Sequence, residues 1–258
     1  MNNNILIFSP LEQFEIYPLF VIKLNWFDIS ITNQTLFLFL FLFLLIIFYR
    51  ASIKPSDKTL YIIPTRVQAA FEIFYNLILT MVIDNINGKN AQKFFPLIFS
   101  IFFFIACMNL IGLIPYSFTV TSHFIVTLSL SLTIFIGINI ICINLHKLAF
   151  FSLFLPKGTP LPMAFLLVPV EFFLYFFRPL SLAIRLFSNL MAGHTLLKIF
   201  AGFAWSLMSF SGVLFFAHFI PLLSLIPLFG LELGVALIQA FVFSLLTCIY
   251  LNDAINLH

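Results

Sequence analysis

Charge is scarce in this chain: Asp, Glu, Lys and Arg together supply 8% of its 258 residues, against about a quarter in an ordinary water-soluble domain. So little charge cannot wet a folded surface, and a soluble or nucleic-acid-binding protein is excluded. Cysteine is sparse as well. Cys107, Cys142 and Cys248 all fall in apolar runs at no metal-ligand spacing, so they read as small buried hydrophobes with no disulfide or metal role. Five histidines, at 123, 146, 194, 218 and 258, offer no pair thirteen or fourteen residues apart on two helices, which argues against a haem-bearing cytochrome. Internal repeats, linkers and a phosphate-cradling glycine loop are also missing. One domain over 1–258 follows. The start, MNNNILIFSPLEQFEI, lacks both an Arg-rich amphipathic pattern and a short apolar signal core, so no cleaved import signal is expected.

What the chain has is apolar length. Hydrophobic residues make up 62%, the mean hydropathy is +1.16, and 38 residues are Phe. That is an integral membrane protein, its Phe, Leu, Ile and Asn content matching an A+T-rich, organelle-type genome. Residues 31–49 are nearly uninterrupted Leu, Phe and Ile, long enough at 1.5 Å per residue to cross a hydrocarbon core of about 30 Å. Residues 94–114 and 121–145 are two further spans. Between the first and second, Arg50, Lys54, Lys58, Arg66, Lys89 and Lys93 hold half of the twelve basic residues, which places 50–93 on the inner side. Within that segment 64–87 reads as an amphipathic helix on the membrane surface, with Val67, Ala70, Phe71, Phe74, Leu77, Ile78 and Met81 as its apolar stripe.

Beyond the Pro-rich connector 155–163, apolar sequence continues, but Glu171, Arg178, Arg185, His194, Lys198, His218 and Glu232 recur in it. Four simple spans would strand these charges at mid-bilayer. Two long helices, 160–204 and 213–256, avoid this if they tilt steeply or bend, with Pro169, Pro179, Pro221 and Pro227 as bend points. Arg185 is the most informative residue, because an arginine at bilayer depth costs about 3 kcal/mol or more and marks an ion route. Glu171, Arg178 and Arg185, spaced by sevens, share one helical face, with Ser181, Ser188 and Asn189 close to Arg185. Glu232 and Gln239 form a second polar stripe. His194, nine residues past Arg185, points half a turn away from it. Arg178 is read as snorkelling toward the inner headgroups, His218 and His123 as structural, and Gly230 with Gly234 as a close helix approach.

These residues carry a resemblance. The run Arg185-LFSNLMAGH-His194, the upstream Arg178-PLSLAI, the C-terminal Glu232-LGVALIQAFVFSLLTCIYLNDAINLH and Asn109-LIGLIPYSFTVTSH are similar to subunit a of F-type ATP synthases, most of all the mitochondrially encoded form of plants and protists. The resemblance covers most of residues 60–258. It implies an all-α membrane protein with three spanning helices, one surface helix and a C-terminal hairpin of two long tilted helices. By the same resemblance Arg185 is the barrier facing the rotor c-ring and Asn189, Gln239, Ser181 and Ser188 are its polar neighbours. His194 and Glu232 line the proton entry half-channel, and Glu171 the exit. It implies a proton-transporting subunit, not itself catalytic, without cofactor or metal, working with the c-ring and other F0 and peripheral-stalk subunits. It further implies the mitochondrial inner membrane, with the N-terminus in the intermembrane space and 50–93 in the matrix. The competing expectation is a self-contained proton-coupled secondary transporter, which the lack of an inverted repeat disfavours.

Overall fold

The computed structural model describes residues 9–24, 27–53, 66–86, 90–114, 117–147, 150, 161–209 and 216–256. Lys54, Lys58, Pro64, Lys89, the Pro115-Tyr116 turn, Lys157, Pro160, Val213 and His258 lie outside them. Among the described residues six α-helices carry the fold: α1 (Asn33–Ile53), α2 (Arg66–Asn85), α3 (Asn90–Gly112), α4 (Phe124–His146), α5 (Leu161–Met208) and α6 (Phe219–Ile255). Among the described residues α3, α4, α5 and α6 are long and apolar enough to cross a membrane, and α1 adds the shorter apolar stretch Asn33–Ile47. Without water to hydrogen-bond the backbone, an apolar run in lipid must satisfy its own amides, and helix does so locally. The hydroxyls obey the same rule: on α4, Thr127, Ser129, Ser131 and Thr133 each donate to a carbonyl three residues back.

The expected all-α fold has one addition. Short antiparallel pairs, β1 (Pro18–Phe20) with β4 (Ile31–Thr32) and β2 (Lys23–Leu24) with β3 (Phe27–Asp28), precede α1. They form where the chain carries β-prone Phe, Ile and Val but no 3.6-residue stripe. Thr32 and Thr35 then exchange side-chain bonds with each other's amides, which starts α1. The surface-helix stripe also differs from expectation: on α2, Ile78, Met81, Val82 and Ile86 are buried, while Ala70, Phe74 and Leu77 are exposed. The helix is apolar over more than one face, and only its C-terminal half packs on α3 and α6.

The main core joins α2, α3, α5 and α6, with Ile78, Ile98, Ile105, Leu186, Phe243 and Leu251 almost fully enclosed. A second cluster, Phe41, Met108, Ile111, Phe118 and Val120, fastens α1 and the 3-10 turn Val120–Ser122 to α3. Gly112 is required there, since a Cβ would lie 2.7 Å from Thr119 Cγ2. At the other end His146 Nε2 donates to the Ile255 carbonyl at 3.0 Å, pinning α4 to the end of α6. These contacts leave the two long helices antiparallel and in register, with Pro169 and Pro179 inside α5 and Pro227 inside α6.

Candidate functional site

Three polar rungs cross the antiparallel α5–α6 pair. Toward the start of α5, Arg178 Nη1 meets Asp253 Oδ2 at 3.3 Å, with the guanidinium over the rings of Tyr175 (5.6 Å) and Tyr250 (5.3 Å). Arg178 therefore does not simply snorkel: it holds the end of α6. Tyr175 in turn donates its hydroxyl to Asn139 Oδ1 on α4. Farther along, Asn189 Nδ2 donates to Gln239 Oε1 at 3.2 Å. Next comes His194, whose Nε2 lies 3.5 Å from Glu232 Oε1.

The third rung differs from the others in chemistry. The side chains of His194 and Glu232 are 14% and 5% exposed, and Nε2 and both carboxylate oxygens are buried without a hydrogen-bond partner. Imidazole and carboxylate are in contact but outside hydrogen-bonding geometry. Buried polar atoms left open in this way call for a further partner, such as water or a proton in transit. Gly193 makes the approach possible, because a Cβ there would stand 2.8 Å from Glu232 Oε1 and 3.0 Å from Cδ.

Arg185 sits between the first and second rungs and joins neither. It is exposed on α5, and its guanidinium makes no hydrogen bond or ion pair with a described residue. Ser181 and Ser188 are exposed on the same side, and Ser188 Oγ donates back to the Arg185 carbonyl at 3.4 Å. The sevenfold spacing placed Arg178 and Arg185 on one stripe, yet one turns to α6 and the other outward. The helix is continuous between them, and an acceptor on α6, Asp253, stands within reach of one arginine and not the other. Glu171, half-buried on α5, forms no ion pair with either arginine.

Two residues that sequence reasoning did not single out belong to this region. Asn109 of α3 is 1% exposed; its Nδ2 donates to the Ala236 carbonyl at 3.2 Å, one turn from Glu232, while its Oδ1 is buried without a partner. A lone amide in an otherwise apolar span was the available signal. Asp253 continues the seven-residue spacing from Glu232 through Gln239 and was readable in the same way. Among the expected structural histidines, His123 stacks on Phe118 at 5.1 Å, and burial pushes its imidazole pKa below the ordinary histidine value. His218 packs against Phe219 at 4.2 Å. Gly230 and Gly234 do not admit a neighbouring helix of this chain: a Cβ at either would meet nothing within 4 Å, because this face of α6 points outward. Cys107, Cys142 and Cys248 are free thiols, and no cluster of three metal-ligating side chains occurs among the described residues.

Comparison with known proteins places the whole chain in one family. The family model described as ATP synthase A chain matches residues 34–252. The chain is 52% identical to ATP synthase subunit a of Pylaiella littoralis over 97% of its own length and 99% of the relative's, and 49% identical to that of Marchantia polymorpha over the same shares. It is 47% identical to the Chondrus crispus subunit a over the full length of both. On this similarity, which spans most of the chain in the family match and all of it in the Chondrus crispus relative, the chain belongs to the ATP synthase A chain family.

Proposed function

We propose that this chain is the proton-translocating stator subunit of an F-type ATP synthase in the mitochondrial inner membrane, itself non-catalytic. It would form two offset half-channels against the rotor c-ring. The observation that carries this reading is Arg185: a permanent cation exposed on a long apolar helix, with no acceptor among the described residues. In lipid such a charge is costly unless something outside the chain answers it. A carboxylate on a passing rotor subunit is a fitting answer. It is neutral and lipid-compatible when protonated and strongly desolvated when charged, except where it meets the arginine. Arginine stays protonated, so it can neutralise that carboxylate without relaying a proton between the two sides.

The other residues take roles around this barrier. Asn189, tethered to Gln239, keeps a neutral polar shelf one turn from Arg185, and Ser181 and Ser188 flank the same face. His194 and Glu232, both able to titrate and both with buried unpaired atoms, are suited to pass protons inward on the entry side. The open Oδ1 of Asn109, close to Ala236, suits a water on that route. Glu171, near the start of α5 and far from His194, is the exit group. Because neither half-channel crosses the membrane, current must ride the ring, driven by about 2.3 kcal/mol per charge per 100 mV.

The test is Arg185→Lys in assembled complexes, with proton pumping and ATP synthesis measured together. Lysine keeps the charge but loses the fixed fork and can deprotonate when desolvated. Coupled synthesis should fall at least a hundredfold while the complex still assembles. Normal coupling in this variant would overturn the barrier role.

A further inference from the structure

An apolar groove of about 370 Å³ opens between α1, α2, α3 and α6, with Leu237 of α6, two residues before Gln239, in its wall. Phe41, Leu44 and Ile47 of α1, Phe74 of α2, and Phe102 and Cys107 of α3 are among its lining residues. We propose that this groove is a binding site for one acyl chain of an anionic glycerophospholipid, whose phosphate is held by Arg50.

The apolar wall and the charge at its edge select this occupant. A flexible hydrocarbon chain can follow the groove along α1 and α3. No polar lining residue interrupts the wall, so a headgroup has no place inside. At the mouth the chemistry changes. Arg50 lies three residues past Ile47, the spacing that puts side chains about 5–6 Å apart on one helical face. It is exposed and makes no ion pair with a described residue. Its aliphatic stem can lie along the apolar wall while the guanidinium takes two phosphate oxygens. Arg66, also exposed, stands at the first residue of α2, eight before Phe74, and adds positive potential on the same side. The one nearby carboxylate on α2, Glu72, is two residues from Phe74 and so about 160° around the helix from it. A zwitterionic lipid would bring an ammonium into this positive field, so an anionic phosphate without one is preferred.

The intact detergent-solubilised ATP synthase is incubated with phosphatidylglycerol carrying a diazirine in its acyl chain, or with phosphatidylcholine carrying the identical chain. After photolysis, cross-linked peptides are mapped. Labelling of α1 and of α3 between Phe102 and Ile111 should be at least threefold stronger with phosphatidylglycerol. Arg50→Gln should equalise the two lipids, and Leu44→Trp, which fills the groove from an exposed position, should abolish labelling by both. Equal labelling by the two lipids in the wild type, or labelling unchanged by Leu44→Trp, would overturn the proposal. So would recovery of a neighbouring subunit, in place of lipid, by a photoprobe attached to Cys107.

Discussion

Gly193 illustrates how much of this molecule turns on single atoms. Glycine is usually argued from backbone freedom, but here it is needed for space, since the missing methyl is what lets the Glu232 carboxyl lie beside His194. In Gly193→Ala the new Cβ would push that carboxyl aside. Overpacking in a tight interior costs about 1–3 kcal/mol, and on the proposed entry role of Glu232 its displacement should slow ATP synthesis about tenfold. Synthesis rates in complexes matched for assembly on native gels check this, and wild-type rates would mean that Glu232 does not need its observed position. Asn109 and Arg178 teach the complementary lesson. Both were visible as polar letters in apolar sequence, yet their partners, Ala236 and Asp253, lie 127 and 75 residues away and follow from no local spacing.

At the scale of elements, the α5–α6 pair shares a buried apolar seam, Leu182, Leu186 and Leu190 against Ala240, Phe243 and Leu251, and the polar rungs are spaced along it. Much of α5 is uncovered within this chain. The Arg178–Asp253 rung, flanked by two tyrosine rings, is then a clamp that sets the register of the hairpin. The two side chains are each about a third exposed, so the pair itself is worth about 1 kcal/mol or less. A double-mutant cycle with Arg178→Gln and Asp253→Asn, read as thermal stability of the purified complex, should return a coupling of that size. Additive effects would show that the clamp is only an incidental contact. The element boundaries were largely legible beforehand, because runs of Phe, Leu and Ile bounded by Arg50, Lys93 and His146 state where lipid begins and ends. The small strands before α1 and the burial of α2 on only part of its apolar surface were not, since both depend on which neighbour reaches them.

For the whole molecule, the proposed orientation puts the strands before α1 on one side of the membrane and the start of α3 on the other. Single-cysteine variants at Ser9 and Lys93, in a background lacking Cys107, Cys142 and Cys248, make this measurable. In sealed mitochondria with the outer membrane opened, a membrane-impermeant maleimide should label residue 9 at once and residue 93 only after the inner membrane is permeabilised. The reverse order would invert the topology and exchange the entry and exit sides. The short reach of Lys198 Nζ to the Ser9 carbonyl, 3.2 Å, already ties the N-terminal segment to the same half of α5 that carries His194.

Membrane character, the helical class and the charged residues of the long C-terminal helices follow from the sequence alone, while the helices themselves run Leu161–Met208 and Phe219–Ile255 where the sequence predicts 160–204 and 213–256. The physical reason is that lipid tolerates neither unpaired backbone nor unexplained charge, so hydropathy and a few polar letters constrain the chain strongly. Tertiary structure decided which of those letters meet. Arg178 turns to Asp253 while Arg185, one heptad later along the same continuous helix, faces outward, because an acceptor on α6 stands within reach of one arginine and not the other. The open contact of His194 with Glu232, the glycine that admits it and the groove beneath Arg50 are likewise products of packing between distant segments, which no periodicity along one helix can encode.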